Sequence, residues 1–190
     1  VFGVLKSQFP FDIPWDGIIV DDPGHPLDIE RRVREVIEII WKERAEDIEH
    51  EACEILGVKS LREYFSKSTG FFADHLKRYS KSRRQAPIYW PLSTASGSYT
   101  LWVYYHRLTD QTLYTCVNDF VEPKLRQVTE SSNELRRKKS RSNQEEKELE
   151  RLSDLEVELK EFRDELLRVA RLWKPNLNDG VQITAAPLWK

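Results

Sequence analysis

One stretch constrains this chain more than any other: Arg83–Arg107, RRQAPIYWPLSTASGSYTLWVYYHR. Two runs rich in aromatic and β-branched residues, Pro87–Ser93 and Tyr99–His106, flank the small-residue loop Thr94–Ser98. That pattern predicts a β-hairpin with a longer loop. Proline cannot donate to a ladder, so Pro87 and Pro91 mark the first strand as an edge strand. Nearly all the rest of the chain has helical periodicity. The expected fold is therefore mainly α within the α+β class. It comprises long amphipathic helices, an antiparallel, coiled-coil-like helical hairpin, and a small sheet built from the β-hairpin and strands from the termini.

Val1–Pro26 has no helical period and carries four prolines and one short apolar run, Gly17–Val20. It reads as an arm lying on the body, or as a strand that completes a sheet with residues outside this chain. Asp28 fits a helix N-cap, with Glu30 in the first turn. The stripe Ile29, Val33, Val36, Ile37, Ile40, Trp41, Ala45, Ile48, Ala52, Ile55 keeps 3–4 spacing up to Gly57, which predicts one long amphipathic helix. A short capped helix is expected over Ser60–Phe65 and another over Gly70–Ser82. The second runs into a basic cluster, Lys77, Arg78, Lys81, Arg83 and Arg84, which continues directly into the aromatic hairpin.

After the hairpin, Thr109 or Asp110 is placed to cap a helix beginning QTLYTCVNDFV. Pro123 should kink or restart that helix, with Glu122 as a new cap. Leu152, Leu155, Leu159, Phe162, Leu166, Val169 and Trp173 alternate spacings of three and four, the pattern of a heptad seam. With the weaker arm Leu125, Val128 and Leu135, this predicts an antiparallel helical hairpin turning near Ser140–Asn143. Its tip carries a second basic patch: Arg136, Arg137, Lys138, Lys139 and Arg141. Asn178-Asp179-Gly180 reads as a turn and Val181–Thr184 as a short extended segment. Three units follow: a helical body with the hairpin over 1–108, the helical hairpin over 109–173, and an extended tail over 174–190.

Lys and Arg together number 30 against 32 Asp and Glu, so the net charge is −2. Any attraction to nucleic acid must then come from local patches. Cys53 and Cys116 lack paired spacing, which predicts a reduced, intracellular protein with both thiols in the core. No run is long and apolar enough for a membrane span, so no membrane partner is expected. The chain has no methionine, even at position 1, which predicts a piece of a longer protein.

Catalytic signals are missing: no Gly-rich phosphate loop, no HExxH, no CxxC, no Ser-centred elbow. His50 and Cys53 share one helix face and form at most half a metal site, with no second pair to complete it. No metal, cofactor or catalytic residue is expected in this chain, which reads as a non-enzyme. The positive signal is Lys77–Arg107, where basic residues alternate with aromatics. Arg and Lys neutralise phosphates, and Trp and Tyr either stack on bases or fill a core. The aromatics fall on both faces of the strands, so at least half of them must be core.

The segment Lys77–Leu125 also resembles a known family. GFFADHLKRYSKSRR, APIYWPLST, YYHR and NDFVEPKL, with DIERRVREVIEIIW before and NDGVQITAAPLW after, are similar, in that order, to the region downstream of the catalytic domain in large adenine-specific DNA methyltransferases. These are the enzymes of BREX and phage-growth-limitation defence systems and related fused restriction–modification proteins. The resemblance implies a cytoplasmic bacterial or archaeal parent that uses S-adenosylmethionine to methylate adenine. The family's cofactor glycines and its Asn-Pro-Pro-Tyr-type motif have no counterpart here. The chain would then be a non-catalytic C-terminal piece that contacts DNA or scaffolds target recognition. Lys77, Arg78, Lys81, Arg83, Arg84 and Arg107 are the expected DNA-binding residues. The alternative is a structural module whose helical hairpin docks on other domains of the parent, on defence-system proteins, or on a second copy through the Leu152–Trp173 seam.

Overall fold

The computed structural model describes residues 14–67, 69–81, 84–85, 87–180 and 184–188, with the backbone alone at 80–81 and 84–85. The strands among the described residues are β1 (Ile18–Asp21), β2 (Ser80–Lys81), β3 (Arg84–Gln85), β4 (Tyr89–Ser93) and β5 (Thr100–Tyr104). β4 and β5 form the expected hairpin, with Tyr89 opposite Tyr104 and Ser93 opposite Thr100. β1 pairs antiparallel on the other side of β5, Ile18 opposite Val103 and Asp21 opposite Thr100. The order β1-β5-β4 leaves the proline-bearing strand at an edge, as its missing N–H requires. The N-terminal strand thus completes a sheet with this chain's own hairpin rather than with residues outside it. β2 and β3 form a separate two-stranded ribbon.

Side chains alternate across the sheet, and each face carries a core of its own. On one face, Ile18, Val20, Trp90, Leu92, Leu101 and Val103 meet α5 (Thr112–Thr115), a π-helical segment (Cys116–Val121), α6 (Glu122–Arg137) and α7 (Asn143–Ala170). On the other, Trp102, with partly buried Ile19 and Tyr89, meets α1 (Ile29–Trp41), α2 (Ala45–Leu56), α3 (Leu61–Ser66) and α4 (Phe71–Arg78). The small sheet is the middle layer between two helical layers, so the class is mainly α with a small antiparallel sheet.

Three elements differ from the sequence expectation. The single helix expected over Asp28–Gly57 is broken at Lys42–Arg44, where a 3₁₀ turn begins with Lys42 at φ 51°. α2 folds back along α1, and Arg34 bridges to Glu49 through two bonds of 2.7 and 2.8 Å. The fold-back brings Ile29, Ile37 and Cys53 into one core, which a straight helix over a three-stranded sheet would not do. Asp28 caps α1 and Gly57 ends α2 in the left-handed region, as expected. Secondly, α4 stops at Arg78, and the chain beyond it becomes the ribbon instead of more helix. Thirdly, α6 does restart at Glu122 with Pro123 in its first turn, but the chain does not leave the helical path there. The π-helical turn before it widens the backbone, Glu122 stays in the right-handed helical region, and the helical path runs from Thr112 to Arg137. Glu122 is therefore not a cap. Neither Thr109 nor Asp110 is the cap at the start of this path: that position is Gln111, which makes no side-chain cap bond, and the Thr109 hydroxyl accepts from Gln111 N at 3.2 Å in the turn before it.

α6 and α7 run antiparallel, joined by 138–142, with Arg136 reaching Ser153 at 3.2 Å and Arg163 reaching Glu122 at 3.4 Å. Ser142 and Glu145 form a capping box at the start of α7. Leu152, Leu155, Leu159, Phe162, Leu166 and Trp173 are buried with Leu125 and Val128 against the sheet. The seam is thus filled from within the chain and is not an open face for a second copy. The hairpin loop is tied to the same helix: Ser96 and Ser98 hydroxyls donate to Glu158 at 2.6 and 3.0 Å. In the tail, Trp173 Nε1 donates to the Thr184 carbonyl at 2.8 Å and Ala185 is fully buried. Thr184 itself sits in a helical turn, its N–H donating to the Gly180 carbonyl at 3.0 Å, and not in the expected extended segment, whose remainder, residues 181–183, lies outside the described residues. Among the described residues, no helix is long and apolar enough to cross a membrane.

Candidate nucleic-acid interface

α4 positions the first cations. Gly70 starts it hard against α3: a Cβ there would stand 2.1 Å from the Tyr64 carbonyl oxygen, so only glycine permits this approach. One turn on, His75 is buried with its Nε2 accepting from two successive backbone amides, Ile88 N at 3.0 Å and Tyr89 N at 3.1 Å. These bonds dock the basic end of α4 onto the chain entering β4. Burial, aided by the nearby Arg78 charge, holds the His75 imidazole below its ordinary pKa, which suits a ring that must remain an acceptor.

The structure places Lys77 and Arg78 in the last turn of α4, where cations also complement the helix dipole. Lys77 reaches back to Asp74 at 3.2 Å. Arg78 has no hydrogen bond or ion pair among the described residues. Lys81 and Arg84 stand opposite one another as partners in the β2–β3 ribbon. Arg83 lies outside the described residues. Arg107 ends a 3₁₀ turn after β5, exposed and also without an ion pair among the described residues. Its Cβ packs on Gly17 so closely that a Cβ on Gly17, at φ +71°, would come within 2.8 Å.

Lys77 and Arg78 line one cleft with Tyr64, Phe71, Tyr79 and Tyr89, while Arg107 lines another with Trp15 and His106. A row of rings joins the two. From Tyr79 the centroids step 4.7 Å to His75, 5.8 Å to Tyr89, 5.1 Å to Tyr104 and 5.3 Å to His106. Tyr89 and Tyr104 belong to this row because they are directly opposed in the hairpin register. Burial, then the neighbouring Tyr104 and Tyr79 hydroxyls, push the Tyr89 phenol above its ordinary pKa, so these hydroxyls are gathered together. Trp90 and Trp102, by contrast, are core residues. No protein-family model matches this chain, and no curated protein is similar to it.

The second basic patch is largely occupied by its own turn. Arg136 bonds Asn133 and Ser153, Lys138 bonds Glu145, and Arg141 bonds Glu146 at 2.7 Å and the Leu135 carbonyl at 3.2 Å. Lys138 and the Ser142 amide and hydroxyl hold the Glu145 carboxyl down to about 2. Arg137 and Lys139 remain without a partner among the described residues.

Sequence reading missed two arrangements. His75 carried no motif; its role exists only because Ile88 and Tyr89 come to it. The other is an acidic loop clamped from both helical layers. Arg62 of α3 pairs with Asp21, with Asp28 at 2.9 Å and with Glu30 at 2.6 Å, and Lys124 of α6 pairs with Asp22 at 2.6 Å. Burial outweighs the attraction of Arg62 and raises the Asp21 pKa, while Arg62 is held more firmly charged by the carboxylates despite its own burial. With these carboxylates committed to cations, no cluster of three or more His, Cys, Asp or Glu is placed to hold a metal among the described residues. Of the half-site pair, both lining one pocket, His50 lies exposed beside Glu54 at 3.3 Å and Cys53 is buried.

Proposed function

We propose that this chain is a non-catalytic, DNA-contacting region of an adenine-specific DNA methyltransferase of the kind it resembles. The observation that carries the DNA contact is the pair Arg78 and Arg107, which make no hydrogen bond or ion pair among the described residues and flank the two ends of one aromatic row. An arginine that makes no bond to a carboxylate of its own chain is available to a phosphate, although the Arg78 charge does act on nearby Asp74, and in a chain of net charge −2 such local groups must supply the attraction. Lys77, Lys81 and Arg84 belong to the same proposed contact, since all lie within the α4–ribbon segment that leads into the hairpin, and Arg83 is included by its place in the sequence alone. S-adenosylmethionine and the methyl transfer are assigned to the rest of the parent protein, and no residue here is given a part in either.

The scaffold alternative is weakened for the helical hairpin in particular: its apolar seam is filled from within, and most of its tip cations are committed to the turn. The test is anisotropy of a labelled duplex titrated with the chain at several salt concentrations. Binding should fall steeply with salt. Arg78→Ala with Arg107→Ala should weaken it and reduce the slope of log affinity against log salt by about one for each phosphate no longer neutralised. Binding that ignores salt, or a double variant indistinguishable from the parent, would reject these arginines as phosphate ligands.

A further inference from the structure

The row from Tyr79 to His106 spans the gap between the two arginines, and phosphate binding alone gives it no purpose. Duplex DNA turns its base faces inward and offers aromatic side chains nothing to stack on. Single-stranded nucleic acid exposes them, and proteins that hold it combine a cationic path with aromatic platforms. Both parts are present. Tyr79 and His106 are exposed at the ends of the row, Tyr89 and Tyr104 are half-buried between them, and His75 is buried beneath Tyr79. Arg78 adjoins Tyr79 in sequence and Arg107 adjoins His106, so each exposed ring has a cation beside it. The Tyr79 end also opens on a cleft of about 930 Å³ whose walls include Tyr64 and Phe71. The Asp74 carboxylate, on the same wall, accepts from the Tyr64 hydroxyl at 3.0 Å and from Lys77 at 3.2 Å, and Val33 and Leu56 complete the lining beside the rings.

We infer that this strip binds a single strand of nucleic acid, with bases stacked on Tyr79 and His106 and the backbone running between Arg78 and Arg107. The inference rests on the proposed DNA contact and narrows it to an unpaired or locally unwound strand. It also gives a reason for tyrosine and histidine, rather than aliphatic residues, at the hairpin's open end: each pairs a flat ring with a polar rim.

The experiment uses the full chain and two labelled probes, a blunt duplex and an oligothymidylate of the same length, titrated side by side at low and moderate salt. Tyr79→Ala and His106→Ala are compared with the unaltered chain; thermal unfolding is followed for each variant and confirms that it is folded. The single strand should bind more tightly than the duplex, and each substitution should weaken it by about tenfold while leaving duplex binding within about twofold. Equal binding of both probes, insensitive to Tyr79→Ala and His106→Ala, would overturn the stacking inference and leave the DNA contact standing. Binding of neither probe at low salt would remove the DNA contact and the inference together, and would reassign the strip to a protein partner.

Discussion

At the scale of single residues, His75 has consequences out of proportion to its place in the sequence. A neutral Nε2 accepts from Ile88 N and Tyr89 N, so protonation would remove the acceptor that both amides use. Because burial depresses its folded pKa below the ordinary 6.5, its contribution is present above that value and is lost as pH falls through the folded one. His25, also depressed chiefly by burial, acts in the same sense. Stability measured by denaturant should therefore decline as pH drops below 6.5. His75→Gln keeps a carbonyl acceptor and should flatten part of that decline, the difference from the unaltered chain isolating His75 from His25. His75→Ala leaves two amides unsatisfied and should cost about 1–3 kcal/mol at neutral pH. An alanine variant as stable as the parent at neutral pH would show that these bonds are not what holds α4 to the hairpin.

At the scale of elements, the legible features were those written in local chemistry. Ser60 and Asp28 as caps, Gly57 as a stop, Pro91 on an edge strand and the small-residue hairpin loop all follow from what their own side chains can or cannot bond. The break between α1 and α2 was not legible, because Lys42-Glu43-Arg44 contains neither Gly nor Pro and the apolar stripe continues through it. Tertiary geometry overrides local preference here: Ile37 and Cys53 must reach the same side of a short sheet, while Ile55, nominally on the stripe, is left 78% exposed. The override leaves a trace in Lys42, the described non-glycine residue with positive φ. Lys42→Gly should relieve that backbone and raise stability by about 0.5–1 kcal/mol, readable as a higher denaturation midpoint with an unchanged slope. A loss of stability in that variant would mean that the turn is not strained at Lys42. The end of α4 was hidden for a related reason. Lys77 through Arg84 are acceptable helix residues, and only the pairing of Ser80 with Gln85 diverts them into a ribbon. This diversion moves the expected DNA-binding cations from a single helix end to a helix end plus a ribbon.

At the scale of the whole molecule, a sequence pattern that reads as a body followed by a helical hairpin becomes three layers around one sheet. The alternation in β5 is the reason. Leu101 and Val103 point into the α5–α7 core and Trp102 into the α1–α4 core, so neither layer closes without the same strand. Nothing in the heptad seam of α7 announces that its partner is a sheet as well as a helix, and so the seam alone suggests an exposed face. Two charged clamps reinforce the arrangement, since the Asp21–Asp28 loop is held by Arg62 from one helical layer and by Lys124 from the other. The layers should consequently unfold together. Leu159 is fully buried on α7, and Leu159→Ala should cost about 2–5 kcal/mol through reduced burial and the cavity left behind. If the sheet couples the layers, that cost should appear in the native-state hydrogen exchange of the slowest amides in β1, β5 and α1 as fully as in α7 itself. Protection falling in α6 and α7 while α1 keeps its own would show instead that the helical hairpin opens as a separate unit. In that case the aromatic row, which belongs to the sheet and α4, would stay intact when the hairpin opens.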